Sequence, residues 1–333
     1  MAARTVAIQL IRAAIAPAAA RGLDVDGVLR EAGIPAGLIG EDAARVTEAQ
    51  AARLIQVLWV VTGDEMVGLG PMTIPRGTFR MVTLGLIHTP DLRTALRRLI
   101  EFVGIGIGFE VTELAGDAKT TRMIVAPGAT TRPDQVVGAI GIVVGHRFVS
   151  WLIGQAIPLT SVELPEPEPP HADYPPIFGV VPNFDAPEAA FTFDSGYLNA
   201  PVVRDEDELT EFLRNLPDAL LFRQDYHPTA SSRVRKMVER RHAPELLTVE
   251  EIAKPLNVSA QHLRRLLRDE GTTFRQIKED VMRDAAIAAL ASGRESTEEL
   301  SDRLGFSEPS AFRRAFRRWT GSPPGAYRLA RGQ

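Results

Sequence analysis

Apolar residues in the first 160 positions recur every three or four residues in several stretches, which is the spacing of amphipathic helices. This pattern predicts helices over 5–20, 24–32, 47–62, 89–102 and about 133–155. Gly33 and Gly63 follow the second and third of these, where helices commonly end. Thr89 is a candidate cap for the fourth helix, and Pro90 suits its first turn.

Other stretches have the β-branched, glycine-punctuated composition of strands. Such runs cover 66–87 and 102–126, and within the second the sequence ELAGDAKTTRMIV predicts a β-hairpin. Further strands are predicted at 159–164 and 189–194. The region up to about residue 200 is therefore expected to have an α+β fold.

Two apolar segments could be mistaken for membrane or export signals. At the N-terminus Arg12 interrupts the apolar stretch, and the pattern favours an amphipathic helix over a signal peptide. The run from Val136 to Ile157 is long enough to span a bilayer, but His146 and Arg147 lie near its centre. A charge there costs roughly 2.5–3.5 kcal/mol. A buried helix is therefore favoured over a membrane span.

Beyond a linker rich in proline, serine and threonine, only helices are predicted, and they contain an internal repeat. The sequence TVEEIAKPLNVS from Thr248 aligns with STEELSDRLGFS from Ser296 at an offset of 48. A second block, LRRLLRDEG from Leu263, aligns with FRRAFRRWTG from Phe312 after one inserted residue. Self-similarity of this length indicates two copies of one structural unit.

Each copy has the form of a helix–turn–helix. The first helix stops at Asn257 or Gly305, residue types that tolerate a left-handed turn, and Ser259 or Ser307 begins the second helix. The exposed face of the second helix is polar and mostly basic in both copies. Its residues are Gln261, Arg264, Arg265 and Arg268 in the first copy and Ser310, Arg313, Arg314, Arg317 and Arg318 in the second.

Arginine on an exposed helix face can bind phosphate or bond guanine in the major groove. Two such helices on one unit could enter successive major grooves, roughly 34 Å apart. The alternative is that these are solvated charges on a helical bundle, and the presence of both copies favours DNA binding. Charge agrees, because residues 229–333 hold 20 Lys and Arg against 14 Asp and Glu, a net of +6, whereas residues 1–228 have a net charge of −10.

The C-terminal third resembles the DNA-binding domain of the AraC/XylS family of transcriptional regulators. The resemblance rests on the stretch 304–328, in which the family signature matches Gly305, Phe306, Ser307, Phe312, Arg314, Phe316, Gly321, Pro324, Tyr327 and Arg328. It implies two helix–turn–helix units joined by a long helix, here 274–293. It also implies base-facing positions at Gln261, Arg264 and Arg265 in the first unit and at Pro309, Ser310, Arg313 and Arg314 in the second.

Three positions depart from the family pattern. Pro309 cannot read a base by hydrogen bonding, so the second helix–turn–helix has one base-reading position fewer than the family pattern. Pro255 removes a backbone donor and is expected to shorten or kink the first scaffold helix. Ser301 replaces the small apolar residue usual at its place.

The N-terminal region is similar to the arabinose-binding-type effector domain of one AraC subgroup, through the segments TPDLRTALRRLIEF and FGVVPNFDAPEAAFTFDSGYLNAP. The resemblance implies an α+β effector-binding and dimerisation domain over 1–207, a linker over 208–232 and an all-α DNA-binding domain over 233–333. It implies promoter DNA and a small effector as ligands, a homodimer, and RNA polymerase as a potential partner.

Little else in the sequence carries chemistry. The absence of cysteine excludes thiolate nucleophiles, Cys-ligated metals and disulfides, and makes a cytoplasmic location the default expectation. No histidine spacing typical of a metal site occurs, and the GIGIG of 104–108 fits a strand or bulge better than a nucleotide loop. No cofactor and no enzymatic activity are expected.

Candidate effector-binding residues are the large apolar or polar side chains of the first region. They are Trp59, Met72, Phe79, His88, Phe102, Trp151 and Phe178. Ordinary core packing is the alternative for each of them. The scarcity of aromatic residues and abundance of Val, Ile and Leu favour an aliphatic or lipid-like ligand over a sugar.

Two other functions stay open at this stage. One is a DNA-binding regulator without an effector, whose N-terminal domain only dimerises. The other is an enzyme or ligand-storage protein whose helical tail is a protein-interaction module. A melting shift with ligand would count against the first, and sequence-preferring DNA affinity would count against the second.

Overall fold

The computed structural model describes residues 4–70, 72–106, 110–115, 119–126, 136–165, 167–168, 178–217, 220, 230–241 and 243–328. The helices of these residues are α1 (Ile8–Ala20), α2 (Val25–Glu31), α3 (Glu48–Thr62), α4 (Thr78–Ile87), α5 (Leu92–Gly106), α6 (Val136–Leu152), α7 (Glu206–Arg214), α8 (Ala230–Glu239), α9 (Val249–Ala253), α10 (Ala260–Asp269), α11 (Phe274–Ser292), α12 (Thr297–Leu304) and α13 (Pro309–Thr320). The strands are β1 (Thr5–Ala7), β2 (Arg45–Thr47), β3 (Glu110–Ala115), β4 (Thr120–Ala126), β5 (Leu159–Glu163) and β6 (Ala189–Asp194).

The chain divides into two compact units that do not follow its linear order. Unit 1 consists of Met1–Ala13, Asp24–Leu54 and Pro228–Gln333, and unit 2 consists of Ala14–Leu23 and Ile55–His227. Segments from the first 54 residues therefore fold with the C-terminal third rather than with the rest of the region predicted as 1–207. Part of the predicted linker 208–232 belongs to helix α7. The predicted domain boundaries, as functional divisions, stay a prediction.

Unit 2 contains an antiparallel sheet of order β3-β4-β6-β5. The predicted hairpin is confirmed, since β3 and β4 pair from Glu110↔Ala126 to Ala115↔Thr121. Strands β5 and β6 lie where the sequence predicts them. The core packed with this sheet is made of large apolar side chains, among them Met123, Ile142, Phe148, Val162, Phe191 and Phe193.

Helix α6 packs closely against the sheet. A Cβ atom on Gly138 would lie only 2.7 Å from Cβ of Ala189 on β6, so glycine permits this approach. None of its residues from Gly138 to Leu152 is exposed, in line with the predicted buried helix, and the two polar residues near its centre are bonded. The ring Nε2 of His146 lies 2.7 Å from the carbonyl oxygen of Ile157, and Arg147 donates to the carbonyl of Leu220 at 2.8 Å. No helix among the described residues is long and apolar enough to cross a membrane.

The strand-like composition of 66–87 is misleading, because Thr78–Ile87 forms helix α4. Its Val82, Leu86 and Ile87 are buried on one helical face, and this burial outweighs the strand propensity of the β-branched residues. The cap predicted at Thr89 is also wrong. The Thr89 hydroxyl donates to the carbonyl of Leu86, whereas Asp91 accepts the backbone N–H of Thr94 at 2.8 Å in the first turn of α5.

Unit 1 combines a two-stranded ribbon with the C-terminal helices. Strands β1 and β2 pair antiparallel through Thr5↔Thr47, Val6↔Val46 and Ala7↔Arg45. The core of the first helix–turn–helix joins α8, α9, α10 and α11 through Val234, Val238, Val249, Ile252, Leu263, Leu267, Ile277 and Val281. The long helix α11 is the joining helix predicted at 274–293.

Candidate nucleic-acid interface

The first helix–turn–helix is made by α9 and α10. A capping box starts α9, in which Thr248 accepts from the N–H of Glu251 and Glu251 accepts from the N–H of Thr248. Pro255 lies in a 3-10 turn that follows α9, so the scaffold helix is short, as the proline predicts. Asn257 takes the left-handed conformation with φ of 55°, and Ser259 caps α10 by accepting from the N–H of His262.

The second helix–turn–helix, α12 and α13, repeats this construction with two differences. Ser296 and Glu299 form the capping box, and Gly305 ends α12 with φ of 88°. The recognition helix then starts after Glu308 rather than Ser307, because Pro309 is well suited to the first helical position. The unit is held by aromatic contacts, in which the ring of Phe312 lies 5.6 Å from Phe306 and 5.7 Å from Phe316.

The predicted DNA-binding side chains lie on the outer faces of α10 and α13. Leu263 and Leu267 on α10, and Phe312 and Phe316 on α13, point into the core and are almost fully buried. The opposite faces carry the predicted residues, of which Ser310 is half-buried and the others are exposed: Gln261, Arg264, Arg265, Arg268, Arg313, Arg314 and Arg317. The arrangement presents one row of guanidinium groups on the second helix of each unit.

Acidic residues that the sequence reasoning missed lie beside these arginines. Arg264 donates to Glu250 at 2.8 Å, and Arg313 donates to Glu298 at 2.8 Å. The repeat could have identified these glutamates, because they occupy equivalent positions at the offset of 48. A hydrogen bond from its own backbone N–H and, after it, the bond from Arg264 lower the pKa of the Glu250 carboxyl. Both arginines therefore rest against a carboxylate from the first helix of their own helix–turn–helix.

A third acid sits at the start of the second recognition helix. The carboxylate of Glu308 accepts a hydrogen bond from the hydroxyl of Ser310 and lies 3.6 Å from the guanidinium of Arg314. The polar end of Ser310 is thus engaged within the protein. Further along α13, Arg318 lies 3.4 Å from Glu279, whereas Arg317 has no carboxylate within ion-pair distance among the described residues.

A buried charged cluster lies on helix α11, which joins the two helix–turn–helix units. The Asp284 carboxylate is bonded by Arg235 and by the hydroxyl of Thr5, and it lies 3.4 Å from Arg283. Burial by itself would raise the pKa of Asp284, but Arg283, Arg235 and Arg45 outweigh it and hold that pKa below its ordinary value. The acid is therefore charged, and it links the N-terminal ribbon to the helix that joins the two units.

Comparison with known proteins decides the family. The model of the N-terminal arabinose-binding domain of AraC transcription regulators matches residues 22–202, more than half of the chain. The chain belongs to the AraC family. A helix–turn–helix domain model matches residues 252–330 of this AraC-family protein, a range that begins near the end of α9 and includes α10 to α13.

Curated relatives agree with this assignment. The ornithine utilization regulator of Pseudomonas aeruginosa is 29% identical over 248 residues, which are 74% of this chain and 73% of that protein. The HTH-type transcriptional regulator VqsM of the same species is 42% identical over 85 residues, 26% of this chain and 25% of that one. The crystal structure of the regulator CdpR, also from P. aeruginosa, has a TM-score of 0.30 at 23% identity, covering 75% of this chain and 81% of that one.

The protein is accordingly a transcriptional regulator of the AraC family, with a helix–turn–helix DNA-binding region and an N-terminal ligand-binding domain. Its fold class is the predicted one, a mixed α/β N-terminal region followed by a helical DNA-binding region. Both curated relatives are regulators by name, and VqsM is named as a transcriptional regulator.

The candidate effector residues fall into two groups in unit 2. Met72 and His88 are exposed, and His88 lies 3.5 Å from Glu206. The others are buried or half-buried, and Phe79, Phe102, Trp151 and Phe178 belong to the hydrophobic core. The indole N–H of Trp59 donates to the carbonyl of Glu65 at 3.0 Å. Phe79 and Trp151 come together through Phe148, whose ring lies 5.4 Å and 6.0 Å from theirs.

Proposed function

We propose that α10 and α13 read base edges in two successive major grooves. The observation that carries this proposal is the repetition of exposed arginines on the second helix of both helix–turn–helix units. Arg264, Arg265, Arg313 and Arg314 are the proposed base readers, with Gln261 and Ser310 beside them. Arg268 and Arg317, one turn further along each helix, are proposed to hold the phosphate backbone.

The chemistry of the guanidinium group supports this assignment. Arginine presents a planar fork of donors that matches the N7 and O6 acceptors of guanine, whereas glutamine matches adenine. The first turn of α13 is poorer in donors, because Pro309 has no backbone N–H and Ser310 is bonded to Glu308. We therefore assign most of the base reading by the second helix–turn–helix to Arg313 and Arg314.

A binding experiment tests the base-reading role. Fluorescence anisotropy at physiological salt would measure affinity for the DNA immediately upstream of the protein's own gene, with excess random competitor. The Arg264→Ala/Arg314→Ala variant is expected to lose the preference for this DNA. The matched control is Arg93→Ala/Arg97→Ala, which removes the same charge from exposed positions of α5. If the wild-type protein bound this DNA no better than random DNA, and selection from random genomic fragments found no preferred sequence either, the proposal would be wrong.

For the effector we propose an aliphatic, lipid-like molecule bound by unit 2. Support comes from the apolar aromatic group around Phe148, in which Trp151 stacks on Phe212 at 4.3 Å. At its edge the Arg204 guanidinium lies 5.2 Å from the Trp151 ring centre and is paired with Glu208 at 2.8 Å, so a carboxylate head group would compete with Glu208 for it. Decanoate is expected to raise the melting temperature while arabinose does not. A shift with arabinose alone would contradict an aliphatic effector, and no shift with any ligand would favour the effector-independent form.

We also propose a homodimer, in which each subunit contributes a double helix–turn–helix. Unit 2 carries large exposed apolar side chains that an interface could cover, including Val60, Met81 and Ile105. Sedimentation velocity measures the oligomeric state directly, and a monomer at micromolar concentration would contradict the proposal. RNA polymerase is the partner that an activating role would require, and a two-hybrid assay between the two proteins tests that contact.

A further inference from the structure

The same ion pair occurs at the same place in both helix–turn–helix units. Glu250 is the second residue of α9 and Glu298 is the second residue of α12. Arg264 is the fifth residue of α10 and Arg313 is the fifth residue of α13. The N···O distance is 2.8 Å in each pair. The repeat therefore preserves a contact between scaffold helix and recognition helix, not only two sets of surface charges.

Folding stability does not account for these pairs. All four side chains are more than half exposed, with relative exposures between 54% and 59%. Exposed ion pairs contribute little to stability, because water screens them and ordering two long side chains costs entropy. Other arginines on these faces do not share this arrangement. Arg265, Arg268 and Arg317 have no carboxylate within ion-pair distance among the described residues, and Arg314 and Arg318 lie 3.6 Å and 3.4 Å from acids that have no counterpart in the first helix–turn–helix. Among the described residues, only the Glu250–Arg264 and Glu298–Arg313 pairs occupy equivalent positions in both helix–turn–helix units.

We infer that Glu250 and Glu298 are specificity-determining residues that restrain Arg264 and Arg313 on DNA of the wrong sequence. A phosphate that competes for the arginine must displace the carboxylate and is repelled by its negative charge. A guanine edge offers two uncharged acceptors in the geometry that the guanidinium fork fits, so it replaces the lost bonds with less repulsion. The glutamates thus penalise nonspecific binding more than specific binding. The inference rests on the base-reading role proposed for these arginines.

The full-length Glu250→Gln/Glu298→Gln variant tests it, because glutamine keeps the size of the side chain and removes the charge. The DNA ligands are the sequence that wild type selects from random fragments and a random duplex of equal length. At 0.15 M salt, affinity for the random duplex is expected to rise about three- to five-fold per substitution, with a salt slope steeper by about 0.9 for each freed phosphate contact. Affinity for the selected sequence should change less, so the specificity ratio falls.

The matched control is Glu211→Gln/Asp302→Asn, which removes the same charge from two other exposed acids. If the test variant changes the specificity ratio no more than this control does, the inference is overturned. It is also overturned if the variant weakens binding to the selected sequence and leaves random binding unchanged, since the glutamates would then orient the arginines for reading.

Arg264→Ala/Arg313→Ala separates this inference from the base-reading proposal. Loss of preferential binding in the arginine variant, together with an unchanged ratio in the glutamate variant, overturns only the role of the glutamates. Unchanged preferential binding in the arginine variant overturns the base-reading role of these two arginines and the inference with it. When Glu250→Gln and Glu298→Gln are added to the arginine variant, they are expected to change the specificity ratio no more than the control substitutions do. The guanidinium groups that the glutamates restrain are absent from that variant.

Discussion

The hydroxyl of Thr5 donates a hydrogen bond to the buried carboxylate of Asp284, 279 residues further along the chain. Arg45 on the neighbouring strand donates to the same hydroxyl at 2.7 Å and, through its backbone N–H, to the Tyr327 hydroxyl at 3.2 Å. Through these bonds the N-terminal ribbon contacts helix α11, which joins the two helix–turn–helix units, and the turn that follows α13. The DNA-binding region is therefore completed by the start of the chain.

Removing this link should destabilise the protein. Asp284→Ala removes one carboxylate from Arg235 and Arg283, which stay paired with Glu239 and Asp280, and we expect the unfolding free energy to fall by about 1–3 kcal/mol. Thr5→Val removes both hydrogen bonds of the hydroxyl, the one donated to Asp284 and the one accepted from Arg45, and should cost about 1–3 kcal/mol. Urea unfolding followed by circular dichroism measures both. Thr210→Val, at an exposed threonine of α7, is the control, and equal losses in Thr5→Val and this control would contradict the link.

Acid should weaken the same link. The pKa of Asp284 lies below its ordinary value in the folded protein, mainly because Arg283 and Arg235 outweigh its burial. In the unfolded chain an aspartate has a pKa of about 3.9. The contribution of Asp284 to the free energy of unfolding is therefore complete above that pH and is lost as the pH falls further. The stability difference between wild type and Asp284→Asn should therefore shrink below about pH 4. A difference that stays constant from pH 6 to about pH 2.5 would contradict the lowered pKa.

Removal of the Ser301 hydroxyl is expected to stabilise the protein. Its side chain is fully buried in α12, and its hydroxyl has no hydrogen-bond partner among the described residues. Ser301→Ala removes this buried hydroxyl and improves helix propensity, so stability is expected to rise by about 1 kcal/mol. Thermal unfolding measures the change. A lower melting temperature for Ser301→Ala would show that the hydroxyl is satisfied in solution.

The left-handed turn of the second helix–turn–helix should require glycine. At Gly305 φ is +88°, and an added Cβ would lie 2.9 Å from Cβ of Ala243. Gly305→Ala should therefore cost more than about 1 kcal/mol, from backbone strain and this close contact. Gly293→Ala is the control, because φ there is +65° with nothing within 4 Å. Equal losses at the two positions would mean that the Ala243 contact does not matter.

Most of the DNA-binding region could be predicted because its signals are local and occur twice. The capping residues, the turns at Asn257 and Gly305 and the inward apolar positions follow from residue type and spacing. Pro255 could be assigned to a shortened helix for the same reason. The N-cap at Ser307 was a local error, because Pro309 at the first helical position moves the start of α13 by one residue.

Features that depend on distant contacts could not be predicted in this way. The helix Thr78–Ile87 has a strand-like composition, and only burial of one face against the unit 2 core selects the helix. The link between Thr5 and Asp284 has no local signal at all, since each residue is unremarkable within its own segment.

The central claim is that two recognition helices bind DNA one helical turn apart. Its most direct test is footprinting of the full-length protein on the sequence it selects from random DNA, with base preferences measured for wild type, Arg264→Ala and Arg314→Ala. Each bound subunit is expected to protect two major-groove segments about 10 base pairs apart, and each variant should lose about 1–3 kcal/mol and relax the preference at one base in its own segment. A single protected segment, or an equal loss on every sequence, would contradict the claim.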